Sequence, residues 1–92
     1  MMTNEESNQF MDIYGVMRLA YKMNISTDYC VFVHYSGHVN QLQVIVAKSK
    51  DEFDKWIYES VVYLNEKDTD EKLMKCIATL SRLLTKKDKK VV

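Results

Sequence analysis

Three residues suited to metal or nucleophilic chemistry, Cys30, His34 and His38, recur at intervals of four along the chain. Thiolate and imidazole are natural zinc donors, and zinc holds its ligands at about 2.0–2.3 Å. Their neighbours, Tyr29-Cys30-Val31-Phe32-Val33-His34-Tyr35, are β-branched or aromatic and read as a strand. Residues four apart on a regular strand lie roughly 13 Å apart, so Cys30 and His34 cannot share a metal. No metal ligand set and no cofactor is expected.

Nucleophilic catalysis fares no better. Cys30 and His34 share one strand face, yet a working nucleophile needs a base in reach and a third group to orient that base. No such residue and no oxyanion-holding glycine turn is recognisable. Asp51, Glu52, Asp70 and Glu71 stand where helices are expected to start, and capping accounts for them. The two glycines, Gly15 and Gly37, are too isolated to build a phosphate-cradling loop. A non-enzymatic protein is therefore expected, with a small hydrolase or thiol enzyme as a minor alternative.

Thirteen basic and thirteen acidic residues give a formal net charge of zero, whereas a general polyanion binder carries a basic excess. The charges are nonetheless segregated. Glu5, Glu6 and Asp12 make the start acidic, and Lys86, Lys87, Lys89 and Lys90 make a basic tail over 86–92. Lysines there suit the C-terminal end of a helix. No apolar run approaches the roughly 18 residues of a membrane span, and Met-Met-Thr-Asn-Glu-Glu lacks the order of a signal peptide. A cytoplasmic protein without membrane attachment is the expectation. Cys30 and Cys76 would then be buried free thiols, with a Cys30–Cys76 disulfide as the alternative.

The elements that position these residues must be read from periodicity, because the 92 residues contain no proline. Residues 4–23 predict a helix whose buried stripe is Phe10, Ile13, Tyr14, Met17 and Ala20 or Tyr21. Met11, Val16, Leu19 and Met23 widen it beyond one face, so the helix has apolar surface to spare. After the polar Asn24-Ile25-Ser26-Thr27-Asp28 the period changes to two, predicting a hairpin over 28–48. Gly37-His38 fits a two-residue II′ turn, which takes glycine at its first central position. That turn pairs Val33 with Leu42, Val31 with Val44 and Tyr29 with Val46, all apolar, and leaves Cys30, Phe32 and His34 on a mixed face.

Ser49-Lys50-Asp51-Glu52 has the form of a capping box and predicts a helix over 50–65, with Phe53, Trp56, Ile57, Val61 and Leu64 in the core. A second cap at Asp68-Thr69-Asp70-Glu71 starts a helix over 69–86 carrying Leu73, Ile77, Leu80 and Leu84, with Cys76 and Leu83 beside them. The whole chain, 1–92, is one α+β domain of two layers in the order α-β-β-α-α, an antiparallel hairpin packed against helices.

A lone hairpin leaves two unpaired edges and is marginal in water. Together with the surplus apolar surface of the first helix, this predicts a homodimer. The candidate interaction surface is Phe10, Tyr14, Met17 and Tyr21 on the helix and Phe32 and His34 on the mixed sheet face. Nucleic-acid binding is the alternative. An RNA-stacking sheet needs exposed aromatic rings with basic neighbours, and Phe32 is the one such ring in view.

The segment Val31-Phe32-Val33-His34-Tyr35-Ser36-Gly37-His38-Val39-Asn40-Gln41-Leu42-Gln43-Val44, followed by the capped segment with Trp56, resembles small accessory proteins of phages and prophages in low-GC Gram-positive bacteria. The likeness spans Asp28 to Leu64. It implies a cytoplasmic, non-enzymatic protein that acts by binding a host or phage macromolecule, and it carries no assigned functional residues. The expected function is thus a protein-binding module that self-associates and engages a further protein partner, in a process the residues do not name.

Overall fold

The computed structural model describes residues 4–88. The tail at 89–92, with Lys89 and Lys90, lies outside the described residues, as do the side chains of Glu5, Glu6 and Lys87. Five elements follow one another: α1 (Asn4–Ser26), β1 (Cys30–Ser36), β2 (Gln41–Ala47), β3 (Trp56–Tyr63) and α2 (Thr69–Asp88). The fold is α+β, and its order is α-β-β-β-α.

The strands form an antiparallel sheet in the order β1-β2-β3. Both helices cover one face of it. A single core joins Val16, Ala20 and Met23 of α1 to Leu73, Cys76, Leu80 and Leu84 of α2 and to Val31, Leu42, Val44, Val46 and Val62 of the sheet. The helices run in the same direction. Gln9 near the start of α1 accepts a hydrogen bond from the Asn65 amide just before α2, and Ile77 of α2 comes to the flank of Gly15.

Residues 50–65 overturn the helix expected there. Ser49 Oγ does accept from the Glu52 amide at 3.1 Å, but the bond closes a turn. The Lys55 amide donates to the Glu52 carbonyl, the Lys48 amide donates to the Lys55 carbonyl, and β3 follows. Trp56-Ile57-Tyr58-Glu59-Ser60-Val61-Val62-Tyr63 is dense in β-branched and aromatic residues, and β2 offers it a partner edge. A bulge between Val46 and Ala47 on β2 and Trp56 and Tyr58 on β3 sets aside Ile57. Trp56 is 53% exposed and is no core residue.

The first hairpin keeps its faces and changes its register. Val33 pairs with Val44, Val31 with Val46 and Tyr35 with Leu42, two positions from the register that a Gly37-His38 turn imposes. A slip of two preserves which side each residue faces, so the apolar set still lines the core. The loop is Gly37-His38-Val39-Asn40, and its left-handed residue is Asn40 (φ 50°), not Gly37. Asparagine tolerates that region well. Asn40 also fastens the loop, because its Oδ1 accepts from the Tyr35 hydroxyl at 2.8 Å and its carbonyl accepts from the Leu64 amide at 2.9 Å.

The helix α1 buries a different stripe from the one its periodicity suggests. Val16, Ala20 and Met23 are buried, Ile13 and Leu19 partly so, while Phe10, Tyr14, Met17 and Tyr21 face solvent. Cys76 is buried, Cys30 is half-buried, and both thiols are free.

A candidate interaction surface in two parts

The predicted surface residues separate onto opposite sides of the molecule. Phe10, Tyr14, Met17 and Tyr21 gather on α1, joined by Ile25, which the sequence did not single out. Their spacings are four, three, four and four, so they form one stripe along the helix. Each is between 49% and 68% exposed. The stripe exists because α1 is apolar nearly all round and α2 and β1 cover only one side of it.

Phe32 and His34 lie instead on the sheet face turned away from the helices. The register arranges this open face in rows: Cys30, Ala47 and Trp56; then Phe32, Ile45 and Glu59; then His34, Gln43 and Val61. Phe32 is not alone there. Trp56 and Phe53, both read from sequence as core residues, join it around a hollow of about 330 Å³. Ile45 also lines the hollow and is only 7% exposed, its cover supplied by the surrounding side chains. Val61 and Tyr63 extend the apolar area along β3. A continuous apolar run in β2, Val44-Ile45-Val46-Ala47, was the signal available for a central strand flanked on both sides.

The polar groups on this face include the carboxylates of Glu59 and Asp54. Gln43 Nε2 donates to a Glu59 carboxylate oxygen at 2.8 Å, and Asp54 and His34 line the hollow. Two lysines of the loop between β2 and β3 are engaged elsewhere. Lys50 Nζ donates to the carbonyls of Thr27 and Tyr29 at 2.9 and 2.7 Å, and Lys55 pairs with Glu52 at 2.9 Å.

The strand edges are partly closed. Asn24, from α1, donates to the Val31 carbonyl at 3.0 Å and accepts from the Val31 amide at 2.8 Å, imitating a neighbouring strand at that point of β1. On β3 the Tyr63 carbonyl accepts from Thr69 Oγ1 at 2.8 Å. The bulge and Glu59 further roughen that edge.

Two titratable groups, Cys76 and Tyr58, meet inside the fold. Burial pushes the Cys76 thiol up despite a hydrogen bond with Tyr58, and a raised thiol is a poor source of nucleophilic thiolate. Burial, with Cys76 adding to it, likewise pushes the Tyr58 hydroxyl up. Among the described residues no three His, Cys, Asp or Glu side chains converge as metal ligands, and no helix is long and apolar enough to cross a membrane. No protein-family model, curated protein sequence or solved structure matches this chain.

Proposed function

We propose that this chain is a protein-binding module that works as a homodimer joined along the outer stripe of α1. The observation that carries the reading is the stripe itself: five large apolar side chains, Phe10, Tyr14, Met17, Tyr21 and Ile25, exposed in register on one helix. Isolated exposed apolar residues are ordinary, whereas a contiguous set marks an interface. Methionine among aromatic rings suits a surface that must fit a second irregular one. Helix pairing is favoured over sheet extension because Asn24 already occupies the Val31 edge of β1. An antiparallel pair opposes the two α1 macrodipoles and sets the C-terminal ends of the two helices apart. The phage-accessory resemblance supplies the expected setting, a small protein that acts by binding.

Sedimentation equilibrium at micromolar concentration tests this. The expected mass is about twice the 10.9 kDa of one chain. The pair Tyr14→Glu and Met17→Glu, at two exposed positions, is expected to give a monomer with an unchanged circular dichroism spectrum. A wild-type mass of one chain, with no rise on concentration, sinks the dimer and leaves the stripe as a docking face for a foreign partner.

A nucleic-acid-binding accessory role is the second reading, favoured by Arg18, Lys22, Arg82 and Lys86, which line neighbouring grooves toward the C-terminal ends of the two parallel helices. Helix-dipole complementation accounts without a ligand for Lys86 alone, in the last turn of α2. Titrating salt against binding of random DNA separates the two readings, since phosphate contacts give a steep salt dependence.

A further inference from the structure

We propose that the hollow on the open sheet face receives an arginine side chain of the protein partner. The proposal rests on the protein-binding reading and adds to it the place and chemistry of recognition. Phe32, Phe53 and Trp56 supply three aromatic rings around one hollow, with Asp54 at its wall and Ile45 against it. Ring faces carry negative quadrupole charge and attract cations, tryptophan most strongly. Guanidinium is planar and weakly hydrated, so it stacks on such rings while its N–H fork reaches a carboxylate.

Size and charge point the same way. Ligand pockets run from roughly 300 to 1,000 Å³, so a hollow of about 330 Å³ stands at the small end of that range and has room for one long side chain. Asp54 has no salt-bridge partner among the described residues. No lysine or arginine lines the hollow, and Lys50 and Lys55 of the adjoining loop are held by other groups. The Glu59 carboxylate, anchored by Gln43, adds a second negative charge on the same face. An anionic ligand would meet repulsion there and a neutral one would leave Asp54 unused.

The chain's single tryptophan is part of the site, so binding can be read directly from Trp56 fluorescence in the full-length protein. The test titrates a blocked glycine peptide carrying two arginines against the same peptide carrying two citrullines, which keep the shape and lose the charge. Saturable perturbation of Trp56 is expected with the arginine peptide, with affinity roughly 5- to 30-fold above the citrulline peptide. Asp54→Asn and Phe53→Ala, both at exposed positions, are expected to erase most of that preference without changing the melting temperature. Equal affinity for the two peptides overturns the proposal, as does an undiminished preference in Asp54→Asn. A stronger, salt-sensitive response to a random single-stranded oligonucleotide also overturns it. Sedimentation is measured on the same samples, so a dimer that ignores arginine sinks this inference alone, and a monomer that binds arginine sinks only the dimer.

Discussion

Asn40 shows how one side chain can decide a loop. Its φ of 50° lies in the left-handed region, which costs most side chains about 1–2 kcal/mol and β-branched ones more. Asn40→Val therefore removes two favourable things together, tolerance of that conformation and the bond from Tyr35. A loss of about 2–3 kcal/mol in urea denaturation is expected. Gly37→Ala is expected to stay within about 0.5 kcal/mol of wild type, because φ there is not positive and a Cβ would sit 3.6 Å from the nearest Tyr35 carbon. A larger loss at Gly37 than at Asn40 would restore the glycine turn. Asp12 makes a second prediction. Burial, and then the negative charge of Asp70, raise its carboxyl above the ordinary 3.8. A raised folded-state pKa means that the protonated form is the one folding favours. The stabilisation is present below the unfolded value and is lost as pH rises through the folded one. Asp12→Asn should accordingly raise the melting temperature at neutral pH, with the gain shrinking as pH falls through the carboxylate range. A gain independent of pH would show that charge is not the cause.

The segment from Ser49 to Tyr63 demonstrates that a local signal can be right while the element built on it differs. The serine bond to the Glu52 amide forms, yet it closes a loop between strands. Apolar residues at 53, 56, 57, 61, 62 and 63 satisfy a helical face and a strand face at once, so periodicity cannot arbitrate between them. The consequence is measurable. As a helical core residue Trp56 would lose about 3–5 kcal/mol on truncation to alanine. On the open sheet face, half-exposed, it is expected to lose about 1 kcal/mol. Leu73→Ala, at a fully buried position of α2, is expected to cost about 2–5 kcal/mol in the same assay. Equal costs at the two sites would place Trp56 back in the core.

At the scale of the molecule, a two-layer fold covers one face of its sheet and one side of α1 and leaves the other face of each open. A small chain has too little length to cover both. The third strand removes part of the original case for self-association, because a three-stranded sheet packed on helices can stand without a second copy. What remains is the α1 stripe, and it makes a thermodynamic prediction beyond mass. If two copies bury it, the folded state is stabilised by mass action, and the melting temperature rises with protein concentration. The Tyr14→Glu and Met17→Glu pair is expected to melt independently of concentration. A wild-type melting temperature that does not move over a hundredfold range of concentration (on the order of 2.7 kcal/mol of linkage) would contradict the dimer.

What the chain determines by itself is whatever depends on neighbours close in sequence. The last helix, expected over 69–86 and found over Thr69–Asp88, is legible because its acidic start, its 3.6 period and its basic end agree. The two faces of the first hairpin are legible because strand side chains alternate and survive a register slip of two. The actual register was not, since Gly37 was the conspicuous turn residue and the asparagine three positions later adopted the left-handed conformation instead. A surplus of apolar residues on α1 over what one contact can bury was also legible, but not which of them stay outside: the periodicity put Phe10, Tyr14 and Met17 in the buried stripe, and they are exposed. The places of Phe53 and Trp56 were not legible either, because their exposure depends on β3 joining the free edge of β2, a pairing between segments that the loop brings together. Which stripe of α1 goes inside is likewise a tertiary decision. Both stripes carry enough apolar surface to pack, and Val16, Ala20 and Met23 are on the side that α2 and β1 meet, leaving the hydroxyl-bearing Tyr14 and Tyr21 outside.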